Sequence, residues 1–228
     1  LPMSANANSL SDHPKVAGVI LAGGEGRRMG GNKPFRELAG KPLIAHVISA
    51  ASAQCNHLMI SSNEGGAFFA EFNLPVVPDS PQPGLGPLGG ILGGLLSLPD
   101  GGPLEDLGDS GVDWLVSFPV DCPIVPDDMV VQLLKAATEG GKKAAFASHA
   151  GRDHYLSAIW HRAGAGIIGN QLRDEDRRVG GALRAMGAAN VAFPVRSGDM
   201  APFVNVNAPE DLSALDEMLS GYIDEKRL

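Results

Sequence analysis

The chain has 228 residues, 44% of them hydrophobic, and a formal net charge of −8. That length buries one substantial core and argues against two large domains, while the acidic balance excludes a protein that grips nucleic-acid phosphates over a broad basic face. Cys55 and Cys122 stand apart, forming neither a metal-binding pair nor a disulfide framework, so a reduced cytoplasmic protein is expected.

Residues 1–14 are polar, rich in Ser and Asn, and lack the basic-then-apolar order of a signal peptide; a disordered tail is expected, with Met3 as the natural start. Val16–Leu21 is a short apolar run that opens into Gly23-Gly24, the pattern of a parallel strand buried on both faces. A helical period follows at residues 43–53, then short strand-like runs at 58–61 and 76–77. The apolar stretch 84–98 is broken by Pro87 and repeated glycines and falls short of the roughly 20 residues of a membrane span. No membrane partner is expected. Residues 88–96 within it read as a helix, whose Gly-x-x-x-Gly spacings signal close packing beside a ligand. Residues 100–113 are Gly-rich, acidic and aperiodic, a surface loop.

Further along, strands are expected at 114–118, 144–148, 156–160 and 191–193, and helices at 129–137, 179–186 and 212–219. Asn207 is placed as the N-cap of the last helix, with Pro209 in its first turn and Glu210 three residues past the cap. Alternating strands and helices predict a three-layer α/β/α, Rossmann-like architecture with a mostly parallel central sheet, in one domain over residues 15–221. Ligands in such sheets sit where the carboxyl ends of the strands open into loops, here after Leu21, around Asp79 and after residue 118.

The first exit carries the strongest chemistry. Five glycines fall within positions 23–31, allowing close backbone approach and inward-facing N–H groups. From Glu25 to Lys41, Arg27, Arg28, Lys33, Arg36 and Lys41 outnumber Glu25 and Glu37, a positive island in an acidic protein that suits a polyphosphate. Neither familiar phosphate loop is spelled here. A dinucleotide fingerprint from Gly24 and Gly26 fails at Met29, and a P-loop fails because Lys33 lies between Asn32 and Pro34. Asp121, at the end of a buried strand, suits Mg²⁺, which takes one or two carboxylates and fills its shell with water and phosphate oxygens. Asp79 and Asn63 are strand-exit residues that either meet a nucleotide or shape their own turns. His149 and His154 flank Gly151-Arg152-Asp153 without a third ligand at recognisable spacing, so no metal is assigned to them. Lys142, Arg152, Arg177 and Arg178 are candidates to meet an anionic acceptor or are solvated surface charges.

Leu21-Ala22-Gly23-Gly24, Arg28-Met29-Gly30-Gly31, Lys33 and Leu38-x-Gly40-Lys41-Pro42-Leu43 together resemble the glycosyltransferase-A-like nucleotidyltransferases. Asp79, Gly86-Pro87-Leu88-Gly89-Gly90, Pro119-x-Asp121-x-Pro123 and Phe203-Val204-Asn205-Val206-Asn207-x-Pro209-Glu210 extend the likeness, which is strongest to the molybdenum cofactor guanylyltransferases. The resemblance implies transfer of GMP from GTP to the phosphate of molybdopterin, with Mg²⁺ as cofactor. Proteins that deliver the pterin cofactor and receive the product are further expected partners.

On that reading Leu21, Ala22, Gly23, Gly24, Lys33, Asn63, Asp79 and Asp121 bind the nucleotide, Arg28, Lys33 and Asp121 are catalytic, and Asp121 holds the metal. The nucleotide part spans about residues 15–125 and the acceptor part about 126–207. The chain departs from the family in reading Gly30-Gly31-Asn32-Lys33 where Gly-Gly-x-Asp-Lys is common. The alternatives are a cytidylyltransferase of the same superfamily and a non-catalytic nucleotide-binding regulator.

Overall fold

The computed structural model describes residues 14–23, 32–98, 111–195 and 198–225, with the side chains of 222–225 left aside. Among these, seven strands form one sheet in the order β5-β4-β1-β6-β8-β7-β9. They are β1 (Val16–Leu21), β4 (His57–Ser61), β5 (Val76–Val77), β6 (Trp114–Pro119), β7 (Ala144–His149), β8 (Arg152–His161) and β9 (Ala189–Ala192). Strands β4, β1 and β6 pair in parallel at the centre, β5 continues the same direction at one edge, and β8 alone runs against its neighbours β6 and β7. A separate two-stranded hairpin joins β2 (Glu37–Leu38) to β3 (Lys41–Pro42).

All six residues of β1 and of β6 are buried, as strands covered on both faces require. Ser117 is the polar exception in β6. Its hydroxyl donates to the Leu156 carbonyl at 2.7 Å and accepts from the Trp160 indole at 3.0 Å, so nothing polar is stranded there. One face of the sheet is packed by α1 (Leu43–Ser52) and α3 (Met129–Glu139), the other by α2 (Pro87–Leu96), α4 (Ala165–Arg173) and α5 (Val179–Ala185). The expected three-layer arrangement is present. A third, smaller cluster of Leu38, Leu43, Val206 and Leu215 ties α6 (Pro209–Glu225) to the β2–β3 hairpin. No helix of the described residues is long and apolar enough to cross a membrane.

Helix α2 packs unusually close to the sheet because its glycines face it. A Cβ on Gly90 would lie 2.3 Å from the Ser61 hydroxyl, and one on Gly93 only 2.2 Å from the Pro78 carbonyl. The expected close approach is therefore real, and at these positions it is made to the protein itself.

Several boundaries differ from the sequence expectation. Strand β8 begins at Arg152 rather than residue 156, because Ala150 (φ 49°) and Gly151 (φ 77°) form a two-residue left-handed turn that reverses β7 straight into it. So short a link cannot make a parallel crossover, which fixes β8 as antiparallel. Strand β9 lies at 189–192, just short of Phe193. Helix α4 was absent from the expectation; two glycines mask a helix that buries Ile168 and Leu172, four residues apart on one face.

The last helix starts at Pro209, and Asp211 rather than Asn207 caps it. The Asp211 carboxylate accepts the backbone N–H groups of Asn207 at 2.8 Å and Ala208 at 2.9 Å. Residues 100–110 of the acidic loop, with residue 99 before it, and residues 1–13 of the expected tail lie outside the described residues.

Candidate active site

The parallel strands bring four exits to one edge of the sheet in a fixed order: Asp79 beyond β5, Asn63 beyond β4, Gly23 beyond β1 and Asp121 beyond β6. Three inter-strand steps separate the first from the last, roughly 14 Å at the usual spacing. Seams between the exits are closed by backbone bonds, from Ala22 N–H to the Ser61 carbonyl at 3.0 Å and from Val120 N–H to the Leu21 carbonyl at 3.2 Å. Leu21 and Ala22 are buried, and the Leu21 side chain belongs to the core against α2. Gly23 is the first exposed position, and among the described residues a Cβ there would meet only the Ser61 carbonyl, at 3.9 Å. Gly24 and Arg28, along with Arg27, lie outside the described residues.

Lys33 reaches the edge from a short 3-10 turn, Lys33–Phe35, that contains Pro34 and follows Asn32 in a left-handed conformation (φ 49°). Phe35 anchors the turn by stacking on Phe69 at 5.7 Å and meeting Phe68 edge-on at 5.0 Å. The Lys33 ammonium lies 3.0 Å from Asp121 Oδ2 and 3.0 Å from Asn207 Oδ1, its side chain 16% exposed and that of Asp121 25% exposed. The structure thus joins two predicted site residues that are 88 positions apart. The backbone of Asp121 is held as well: its carbonyl accepts the Val206 N–H at 2.8 Å.

Asp79 and Asn63 meet each other. The Asn63 amide donates to Asp79 Oδ2 at 3.2 Å, and Asp79 N–H donates to Asn63 Oδ1 at 3.1 Å. The same Asp79 oxygen accepts the backbone N–H groups of Gly84 and Leu85, so this pair shapes the loop leading into α2.

Of the expected acceptor cations, Arg152 lies at the same edge as Asp121, because β8 starts there. It acts electrostatically on Cys122 and His154. Burial first, then Arg152 and His149, push the His154 imidazole below its ordinary range, and its ring stacks on Phe203 at 4.8 Å. His149 Nδ1 lies 2.7 Å from the Phe193 carbonyl and so carries the proton.

Lys142 must be struck from the acceptor set. It precedes β7, which runs parallel to β6, and therefore lies at the opposite, amino edge. Arg178 is exposed and engaged with Asp176 at 2.8 Å, while Arg177 donates to the Gly84 carbonyl at 3.0 Å. Cys122 is buried, and burial together with the Asp121 charge raises its thiol far above the ordinary range against the opposing pull of Lys33 and Arg152; it is no nucleophile.

Asn207 is the site residue that sequence reasoning missed. The available signal was the spelling Asn205-x-Asn207, two amides closely spaced just ahead of the last helix. Asn205 Oδ1 indeed accepts from the Cys122 thiol next to Asp121, as Asn207 Oδ1 accepts from Lys33. A cavity of about 390 Å³ is lined by Ile124, Phe193, Met200 and Leu219 with Asp127 and Asp199, and none of the predicted site residues that are described lines it. Among the described residues no three His, Cys, Asp or Glu side chains cluster to hold a metal on their own. A single carboxylate is nonetheless compatible with Mg²⁺, which takes most of its ligands from water and phosphate oxygens.

Comparison with known proteins places this geometry. Residues 18–189 match the model of the MobA-like NTP transferase domain. The molybdenum cofactor guanylyltransferase of Rhodopseudomonas palustris (strain BisB5) is 37% identical, over 92% of this chain and 96% of the relative. That of Rhodobacter capsulatus is 38% identical, over 90% and 97%. Among solved structures, molybdopterin-guanine dinucleotide biosynthesis protein A from Archaeoglobus fulgidus superposes with a TM-score of 0.71 at 22% identity, over 90% of this chain and 99% of that one. The CTP complex of CMP:2-keto-3-deoxy-manno-octonic acid synthetase shares the fold at a TM-score of 0.65 and 13% identity, over 91% and 99%.

Proposed function

This chain belongs to the MobA-like NTP transferases, in the molybdenum cofactor guanylyltransferase family, and from that premise we propose how its carboxyl edge works. The reaction is transfer of GMP from GTP to the phosphate of molybdopterin, giving the guanine dinucleotide form of the cofactor and pyrophosphate. The observation that carries the assignment of roles is the contact of Lys33 with Asp121 at the edge where β1, β4, β5 and β6 all end.

Gly23 and its neighbours receive the nucleotide. Lys33 neutralises charge on the leaving pyrophosphate, with Arg28 as its expected partner in that role. Mg²⁺ is the cofactor of this reading; held by Asp121, it would supply Lewis-acid neutralisation of the phosphate oxygens. The acceptor phosphate is ionised at neutral pH, so the site needs to orient it in line with the α-phosphorus rather than take a proton from it. Among the described residues Arg152, which begins β8 at this edge, is a cation placed to orient it. The cost left to the protein is chiefly electrostatic, which fits a site that pairs a lysine with a carboxylate.

The base preference tests the assignment. Among the described residues a Cβ on Gly23 would meet only the Ser61 carbonyl, and room there for a larger purine edge predicts that GTP binds at least about tenfold better than CTP. Gly23→Ala narrows that ratio while Tm stays put. Thermal shift and calorimetry with each nucleotide measure both, and equal affinities in the wild-type protein overturn the guanine assignment.

A further inference from the structure

We infer that Asn207 is a positioning residue for Lys33: a neutral anchor that keeps the ammonium aimed at the phosphate path when Asp121 turns to a cation. The inference rests on the role given to Lys33 in the proposed reaction.

Among the described residues Lys33 has two acceptors of unlike charge, Asp121 Oδ2 and Asn207 Oδ1, each at 3.0 Å. A lysine bound only to Asp121 would have its charge cancelled and would lose its sole partner once the carboxylate engaged a metal–triphosphate. Four rotatable bonds would then leave the ammonium free to wander. An amide oxygen holds the same ammonium through a charge-assisted hydrogen bond without cancelling it. A carboxylate at 207 would keep Lys33 as an ion pair and add repulsion toward phosphate.

Asn207 is itself well fixed. Its N–H donates to Asp211 Oδ2 at 2.8 Å, and its neighbour Val206 is fully buried with Leu38, Leu43 and Leu215. Through that cluster α6 sets the distance between the 205–207 segment and the turn that carries Lys33. Because Asp211 serves the helix end, the Asn207 side chain is left for the lysine.

A double-mutant cycle decides the matter, using wild type, Lys33→Ala, Asn207→Ala and the double variant. Two quantities are read: kcat/KM for GTP by pyrophosphate release with Mg²⁺, and Kd for GTP by calorimetry in EDTA. Asn207→Ala is expected to lower kcat/KM and weaken metal-free binding by about tenfold each, the loss of one hydrogen bond to a charge. In the Lys33→Ala background the same substitution is expected to do nothing more. Effects that multiply in the double variant, or an Asn207→Ala protein indistinguishable from wild type, overturn the inference while leaving the Lys33 role intact. An unchanged Lys33→Ala protein instead overturns the role of Lys33 on which it rests. Circular dichroism and Tm check folding, and if Asn207→Ala folds poorly, Asn207→Ser takes its place in the same cycle with the same expected outcome.

Discussion

The two ends of the sheet follow different rules. In the β5-β4-β1-β6 half every strand runs the same way, so each exit loop falls on one edge and the order of strands is the order of functional groups. In the β8-β7-β9 half one strand is reversed, and that reversal decides which charges share the edge with Asp121. Arg152 starts the reversed strand and is at the site; Lys142, only ten positions earlier, precedes a forward strand and is at the far edge. A parallel half turns sequence position into spatial position almost directly, whereas a hairpin makes near neighbours in sequence face opposite ends of the molecule.

Substitutions can test whether this division is functional. The largest effect is expected at Asp121 in the parallel half. Asp121→Asn removes the anion that would hold Mg²⁺ and should cost about 4 kcal/mol, roughly a thousandfold in rate, with circular dichroism and Tm near wild type. Pyrophosphate release titrated with Mg²⁺ is the measurement, and a variant with near-normal metal dependence would move the ion to another ligand, Asp79 being the next candidate.

Lys33→Ala should lower turnover by roughly 10², again with little change in Tm, since the lysine belongs to none of the hydrophobic clusters that hold the fold together. Loss of folding without the kinetic defect would make it a structural residue.

Stability should divide the halves too. Gly93→Ala drives a methyl into the Pro78 carbonyl beneath α2 and should cost about 2 kcal/mol, roughly 6 °C in Tm. Among the described residues nothing lies within 4 Å of where a Cβ on Gly166, in α4, would sit; Gly166→Ala should be neutral or raise stability by about 0.5–1 kcal/mol through helix propensity. Equal Tm shifts in the two variants would show that α2 is free to lift off the sheet.

The smallest effects are expected among the acceptor-side cations. Arg152→Ala should raise KM for molybdopterin by about tenfold and leave KM for GTP unchanged, as loss of one charge-assisted contact to a phosphate would. Lys142→Ala should change neither by more than about twofold. A Lys142 variant as impaired as the Arg152 variant would contradict the edge assignment.

What the sequence determined by itself was the class of fold and the strand exits at which the candidate site lies. Buried apolar runs at 16–21 and 114–119, each opening into Gly or Asp, carry their meaning locally, because a strand covered on both faces has no other pattern available. Asp121 and Lys33 were legible for that reason and through the motifs around them. The sequence could not show that Asn63 and Asp79 spend their polar groups on each other, since turn-forming and ligand-binding Asx residues are spelled alike.

Only the tertiary structure decided the rest. The two-residue turn at Ala150-Gly151 reversed β8 and sorted Arg152 from Lys142, an outcome that depends on pairing between strands rather than on any residue's own preference. Helix α6, packed through Leu215 against Leu38, brought Asn207 to Lys33 across 174 positions. A contact of that kind is set by how separate elements dock, and local sequence holds no record of it.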